Sequence, residues 1–160
     1  MRAPKIYLET TIFNFFVDED RGFAHKSTVT LFKEMAGGKY LAYTSRATID
    51  ELVKAEPEKY IKMVAIISEY GIPILEINDE ALRLAELYIN EGVIPVNKRD
   101  DALHVALAAV NDLDMIISMN FEHIVKRKTI KMTATINSLN GYRVVEIYSP
   151  MEVVENVGDK

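Results

Sequence analysis

The sequence predicts an α/β domain built on a mostly parallel sheet of about five strands. Short apolar runs alternate along the chain with segments of helical periodicity, and no repeat, low-complexity stretch or obvious linker interrupts them. The chain has 160 residues, of which 49% are hydrophobic and 27% charged, and these values are normal for one globular domain. We therefore expect a single domain over residues 1–150 and a C-terminal tail over residues 151–160.

The first half of the chain supplies two strands and three helices. KIYL (5–8) is the first expected strand, and the threonines of the following TTIFNFF suit the start of a helix. HKSTVTLFKEMAGG has its apolar residues near one helical face and ends in a double glycine suited to a C-cap. YLAYT (40–44) is the second expected strand, and Ser45 is a good N-cap for the helix SRATIDELVKA.

The second half continues the alternation. A helix over EKYIKMVAIISEY stops at Gly71, and IPILEI (72–77) is the third strand. The amphipathic helix DEALRLAELYINEG follows; it begins at Asn78 or Asp79 and ends at Gly92. RDDALHVALAAVNDL is apolar almost all round, which predicts a buried helix. DMIISM (114–119) is the fourth strand, and RVVEIYS supplies the fifth after a basic helical segment.

The amino-acid composition limits the kinds of metal site and catalytic site that the chain can form. The absence of cysteine excludes disulfide scaffolds, thiolate zinc sites, iron–sulfur clusters and cysteine nucleophiles, so oxygen or imidazole must hold any metal. The chain starts without signal-peptide features and has no apolar run of membrane-spanning length, so we expect a cytoplasmic protein without a membrane partner. A protein that binds nucleic acid electrostatically is expected to carry a positive charge, whereas this chain has a net charge of −5. A carboxylate-rich metal site would contribute to this charge, and bound cations would reverse it locally.

Four polar residues follow the expected strands. Glu9 lies just past the first strand, Glu51 in the helix after the second, Asp101 at the start of a helix after the third, and Asn120 after the fourth. Ligands of an open parallel sheet bind outside the carboxyl ends of its strands, so these side chains are expected to meet at one edge. Mg²⁺ and Mn²⁺ prefer oxygen ligands of this kind. Such a site supports phosphodiester hydrolysis, because the metal activates water and neutralises charge on the phosphate.

Four segments resemble the successive motifs of the PIN-domain family, which includes the VapC-like ribonuclease toxins of type II toxin–antitoxin pairs. The segments span nearly the whole chain and are IYLETTIFNFF, TSRATIDELVKA, DDALHVALAAVNDLDMIISMNFEHI and RVVEIYSPMEVVE. The strongest part of the resemblance is the spacing from Asp101 through ALHVALAA to ISMNFEHI. The first segment departs from the family, which usually has an aspartate where this chain has Glu9.

The resemblance implies a three-layer α/β/α sandwich and an Mg²⁺- or Mn²⁺-dependent ribonuclease. By similarity, Glu9, Glu51 and Asp101 are the metal-binding catalytic carboxylates, and Thr11 occupies the hydroxyl position of the first motif as a substrate-binding residue. The fourth acidic position of the family falls on Asn120, a catalytic candidate whose amide can orient a metal-bound water but supplies no charge.

Each of these residues also has a structural interpretation. Asp101 and the preceding Asp100 suit the first turn of a helix, where the helix dipole favours carboxylates. Glu51 would be half of an ordinary exposed acidic pair, and Asn120 would form an Asx turn. Glu9 is harder to explain structurally, because a glutamate at the inner end of an apolar strand must find a partner or lose solvation energy.

Basic residues flank the expected site. Lys126 and Arg127 begin a KRK run, Arg99 lies two residues before Asp101, and all three are candidates for binding RNA phosphates. A solvated helix face is the alternative interpretation of the KRK run. His104 lies three residues after Asp101 on the same helical face, where it would either orient a carboxylate or be a hydrogen-bonded core residue.

The sequence is compatible with two functions from different classes. The first is an endoribonuclease toxin, with RNA as substrate, a small antitoxin as partner and a homodimeric state to which the apolar TIFNFF segment would contribute. The second is a catalytically weak PIN-like module that binds RNA or protein. Metal dependence distinguishes the two.

Overall fold

The computed structural model describes residues 2–155, which form one five-stranded sheet with helices on both faces. All the strands run parallel, in the order β3-β2-β1-β4-β5. The strands are β1 Lys5–Leu8, β2 Leu41–Ser45, β3 Ile74–Leu75, β4 Met115–Ile117 and β5 Glu146–Tyr148. The five predicted strands are therefore confirmed, although β3 and β4 are shorter than the apolar runs that predicted them.

Eight α-helices cover the sheet within residues 2–155. They are α1 Thr10–Val17, α2 Gly22–Ala36, α3 Arg46–Leu52, α4 Pro57–Glu69, α5 Asp79–Asn90, α6 Arg99–Val110, α7 Arg127–Leu139 and α8 Pro150–Val153. Helix α8 was not predicted; it begins with a proline and carries a capping box between Ser149 and Glu152. The 3₁₀ turns Glu19–Arg21 and Val96–Lys98 were also not predicted.

The helix boundaries follow local capping chemistry. Ser45 Oγ accepts from the Ala47 amide (3.1 Å) at the start of α3, as predicted. Asn78 caps α5 in the same way. The predicted start of α1 needs a correction: its N-cap is Glu9 rather than a threonine, since the Glu9 carboxylate accepts from the Thr11 amide.

Two apolar clusters lie on opposite faces of the sheet, which confirms the three-layer α/β/α sandwich. Alternate residues of β1 point to opposite faces, so Ile6 and Leu8 pack with α1, α2 and α4 whereas Tyr7 packs with α5 and α6. Within α6, residues 101–109 are all buried, in agreement with the prediction from its apolar composition.

The segment expected to be a C-terminal tail, residues 151–160, begins as part of α8. Tyr40 donates from its hydroxyl to the Val153 carbonyl (2.8 Å), and the Glu155 amide donates to Glu34 (3.0 Å), so these residues contact the body of the domain. Residues 156–160 lie outside the described residues. Between residues 2 and 155, none of the helices combines the length and apolar composition needed to cross a membrane.

The strand order creates a crevice at one position. From β1 the chain moves outward to β2 and β3 on one side, and from β4 to β5 on the other. Adjacent strands whose connections leave in opposite directions form the point at which parallel sheets bind ligands. The carboxyl ends of β1 and β4 are therefore the expected location of a functional site.

Candidate metal centre

The predicted site residues come from elements that converge on the β1/β4 crevice. Glu9 directly follows β1, and its amide donates to the Ile117 carbonyl (3.1 Å), so the pairing of β1 with β4 continues to the site. Glu51 lies on α3, which follows β2, and Asp101 lies in the first turn of α6. Asn120 lies in the loop after β4.

Glu9 is a buried carboxylate held by three donors. Its side chain is enclosed, with the residue 2% exposed, and Oε1 accepts from the Thr11 amide (3.2 Å), the Thr11 hydroxyl (2.5 Å) and the Ser118 hydroxyl (2.6 Å). Burial raises the pKa of Glu9, while the positive charge of His104 and these hydrogen bonds act in the opposite direction. Among residues 2–155, all hydrogen bonds to this carboxylate end on Oε1, which leaves Oε2 for another ligand.

In Glu51, as in Glu9, the observed hydrogen bonds go to one of the two carboxylate oxygens. Its Oε1 accepts from the Thr10 hydroxyl (2.6 Å) and from His104 Nε2. Burial would raise the pKa of Glu51, but the hydrogen bond and charge of His104 outweigh it, so the pKa lies below its usual value. Glu51 is therefore ionised at neutral pH, and within the described chain its Oε2 accepts no hydrogen bond.

Asp101 is 8% exposed and lies beside Asn120. Burial raises the pKa of Asp101, and the neighbouring Asn120 side chain, with the charges of His104 and His123, partly offsets this. Asn120 Oδ1 accepts from the His123 amide (3.0 Å), and its main-chain oxygen accepts from the Val125 amide (2.8 Å). Asn120 therefore forms the turn expected from its structural interpretation, and its catalytic role stays a prediction.

Glu9, Glu51 and His104 each offer one ligand atom, and these atoms lie within 4.8 Å of one another. Because the Oε1 atoms are occupied, each carboxylate offers one oxygen to a cation rather than two. Monodentate carboxylates with room for water suit Mg²⁺ and Mn²⁺, whereas Ca²⁺ more often takes bidentate carboxylates and additional oxygens. The donor set therefore fits a small divalent cation. The metal-binding roles of Glu9, Glu51 and Asp101 stay predictions.

Three residues of the site were not singled out from the sequence. Thr10 donates to Glu51, Ser118 donates to Glu9, and Tyr7 contacts His104. Thr11, predicted to bind substrate, donates its hydroxyl to Glu9 and accepts from the Met119 amide (2.8 Å). Its hydroxyl connects the β1 and β4 sides of the crevice, and its substrate role stays a prediction.

The basic residues predicted to bind phosphates lie at the surface of the domain. Lys126 and Arg127, at the start of α7, are exposed. Arg99 begins α6 and forms a salt bridge with Glu86 of α5, with about half of each side chain exposed. An exposed salt bridge of this kind contributes on the order of 0–1 kcal/mol, so a phosphate can compete for Arg99.

No protein-family model and no curated protein matches this sequence. Among solved structures, the fold is similar to a chain of VapBC2 from Rickettsia felis, crystallised bound to a DNA fragment from the promoter. The two chains are 10% identical with a TM-score of 0.59, over 91% of this chain and 98% of the other. A chain of VapBC-5 from Mycobacterium tuberculosis, a member of the VapBC family of toxin–antitoxin systems, is 18% identical with a TM-score of 0.50, again over 91% and 98%.

These likenesses cover nearly the whole domain and are too distant in sequence to carry more than the fold. They agree with the resemblance found in the sequence and with the five-stranded parallel sheet. The chain therefore has the fold of the PIN-domain VapC structures.

Proposed function

We propose that this chain is a ribonuclease that depends on Mg²⁺ or Mn²⁺, and that it is the toxin of a toxin–antitoxin pair. The observation that carries the proposal is the pair of carboxylates at the β1/β4 crevice, Glu9 and Glu51, whose ligand atoms lie within 4.8 Å of each other. Glu9 and Asp101 are 2% and 8% exposed, and burial raises the pKa of both. Carboxylates in such positions are costly unless a cation or hydrogen bonds compensate for lost solvation, and they are typical of functional sites.

Glu9, Glu51 and Asp101 would hold the metal. A divalent cation bound there supplies charge neutralisation for the phosphodiester and activation of a water nucleophile. The chain's own polar groups keep the ligands in place: Thr11 and Ser118 fix one oxygen of Glu9, and Thr10 fixes one oxygen of Glu51. Asn120 lies beside Asp101, and its side-chain oxygen accepts from the His123 amide, which fixes the orientation of the Asn120 amide.

The RNA strand would lie across the acidic crevice with basic side chains at its rim. Arg99 is adjacent to the first turn of α6 that carries Asp101, and Lys126 and Arg127 lie at the exposed start of α7. These cations offset the repulsion between phosphates and a chain of net charge −5. The exposed salt bridge of Arg99 to Glu86 is weak, so an RNA phosphate can take the place of the Glu86 carboxylate.

The partner proposals rest on the fold. The similar structures are named as VapBC toxin–antitoxin assemblies, which supports a small antitoxin as partner. The homodimer predicted from the TIFNFF segment stays a proposal: Ile12 and Phe13 of this segment are buried within the domain, and Phe15 and Phe16 are partly buried. Co-expression with the neighbouring reading frame and size-exclusion chromatography would address both proposals.

The test is cleavage of structured and single-stranded RNA by the purified protein in Mg²⁺ or Mn²⁺. We expect cleavage by the wild type, and we expect it to be lost both with a chelator and in Asp101→Asn. Glu91→Gln, which changes an exposed carboxylate at the end of α5, is the matched control and should retain activity. A folded wild type that cleaves neither RNA in either metal would favour the alternative, a PIN-like module that binds RNA or protein without cutting it.

A further inference from the structure

A buried chain of polar groups connects the core of the domain to Glu51. Tyr7 of β1, Ser45 at the end of β2 and His104 of α6 are each 0% exposed. The Tyr7 hydroxyl lies 2.6 Å from Ser45 Oγ and 2.6 Å from His104 Nδ1, and Ser45 Oγ accepts from the Ala47 amide (3.1 Å). His104 Nε2 then contacts Glu51 Oε1. These contacts tie β1, β2, α3 and α6 together directly behind the crevice.

The hydrogen-bond partners of His104 determine which of its ring nitrogens carries a proton and whether either can bind a metal. Glu51 Oε1 accepts from the Thr10 hydroxyl, so the same oxygen also accepts from His104, and Nε2 must carry the proton of that hydrogen bond. A protonated Nε2 has no lone pair for a metal, and Nδ1 is occupied by the Tyr7 hydroxyl. His104 is therefore not a metal ligand while this arrangement holds, although one of its ring nitrogens lies within 4.8 Å of ligand atoms of Glu9 and Glu51.

Oε1 of Glu51 also accepts from Thr10, so two donors from different elements fix the carboxylate. We propose that Tyr7 and His104 are positioning residues that hold Glu51 Oε1 and thereby present Oε2 to the divalent cation. This inference rests on the proposed metal site. Outer hydrogen-bond partners of metal ligands commonly raise metal affinity by about 10–100-fold, because they fix the ligand before the metal arrives.

The experiment compares hydroxyl deletions of two equally buried tyrosines. Tyr7→Phe keeps the ring but removes the contact with His104. Tyr88→Phe is the control, because Tyr88 is also 0% exposed and its hydroxyl donates to Asn137, away from the carboxylate cluster. Both variants lose a buried hydrogen bond, so a purely structural effect should appear in both. Isothermal titration with Mg²⁺ and with Mn²⁺, and the Mg²⁺ midpoint of RNA cleavage, are the readouts.

We expect Tyr7→Phe to weaken Mg²⁺ binding by about 10-fold or more and Tyr88→Phe to leave it unchanged. His104→Leu should weaken it further, and His104→Gln, which can still donate to Glu51, should recover part of the loss. Raising the Mg²⁺ concentration should restore cleavage by Tyr7→Phe. If His104→Leu does not fold, the comparison of the two tyrosine variants decides the matter.

Equal metal affinities of wild type, Tyr7→Phe and Tyr88→Phe would overturn the inference and leave the proposed ribonuclease intact. A wild type that binds neither metal would overturn both proposals. The two failures are distinguishable because the first is seen only in variants and the second in the unaltered chain.

Discussion

Replacing Glu9 by glutamine should have opposite effects on stability with and without metal. The glutamine carbonyl can still accept from the Thr11 amide, the Thr11 hydroxyl and the Ser118 hydroxyl, so Glu9→Gln retains the acceptor and removes the charge. Burial raises the pKa of Glu9 in the folded protein. The ionised form therefore destabilises the fold at neutral pH, at about 1.4 kcal/mol for each unit by which the pKa is raised.

The sign with pH follows from the direction of this shift. A carboxyl with a raised folded pKa carries no penalty below its unfolded pKa, and the penalty develops as pH rises through the folded value. In a chelator, Glu9→Gln should therefore melt at a higher temperature than the wild type at pH 7. The difference should shrink as the pH approaches the usual glutamate value of 4.5.

With metal present, the order should reverse. A cation at 100 times its dissociation constant stabilises the folded wild type by about 2.7 kcal/mol. For a domain of this size that corresponds to an increase in Tm of roughly 5–11 °C, at about 2–4 °C per kcal/mol. Glu9→Gln should lose most of this increase, whereas the exposed control Glu91→Gln should keep it. Differential scanning calorimetry in Mg²⁺ and in chelator measures both the Tm without metal and the increase in Tm caused by metal. A Glu9→Gln variant whose Tm rises with Mg²⁺ as much as that of the wild type would refute the reasoning.

Three further predictions concern the same site. Ser118→Ala removes the 2.6 Å donor to Glu9 and should weaken Mg²⁺ binding by about 10–100-fold in calorimetric titration; unchanged affinity would contradict the role of the serine. Because the metal needs ionised Glu9, whose pKa is raised, Mg²⁺ affinity should already fall at pH values above 4.5, and a constant affinity down to that pH would be inconsistent with this account. Lys126→Ala combined with Arg127→Ala should flatten the salt dependence of single-stranded RNA binding by about 1.4 in log–log slope if two phosphate contacts are lost. An unaltered slope would place the RNA elsewhere.

Much of the fold follows from apolar periodicity, because a parallel sheet covered on both faces needs strands that are apolar throughout. The apolar residues IYL of β1 and MII of β4 satisfy this requirement, and Ser45 and Asn78 mark helix starts through their short acceptor side chains. The strand order was not predicted. It depends on which buried strands pair, and periodicity within each strand does not contain that information. The short helix α8 was missed because its capping box follows directly on the last strand.

The sequence predicted where the candidate residues lie, because they follow the ends of strands, whereas their roles stay predictions. Glu9, Glu51, Asp101 and Asn120 lie at or beside the β1/β4 crevice, in accordance with the rule for parallel sheets. The supporting residues were harder to find, because their roles depend on contacts across long stretches of chain. Tyr7 and His104 are 97 positions apart, and nothing in the strand KIYL indicates which buried hydroxyl partner it will meet.

The contacts of Thr10 and Thr11 could not be predicted from the sequence either, although the two residues are adjacent. Both suit the first turn of a helix, and only the backbone path after β1 sends one hydroxyl to Glu51 and the other to Glu9. Ser118 was included in the fourth strand, where alternation gives the face of the sheet but not the partner. The structure ends β4 at Ile117, which allows the Ser118 hydroxyl to reach Glu9.

The most direct test of the account is a crystal structure of the protein grown with Mn²⁺, with the metal located by anomalous scattering. The account predicts a Mn²⁺ ion at the β1/β4 crevice, bound by one oxygen each of Glu9 and Glu51 and by Asp101, with His104 still hydrogen bonded to Glu51. A crevice without anomalous signal at saturating Mn²⁺, or an ion bound directly by His104, would contradict it.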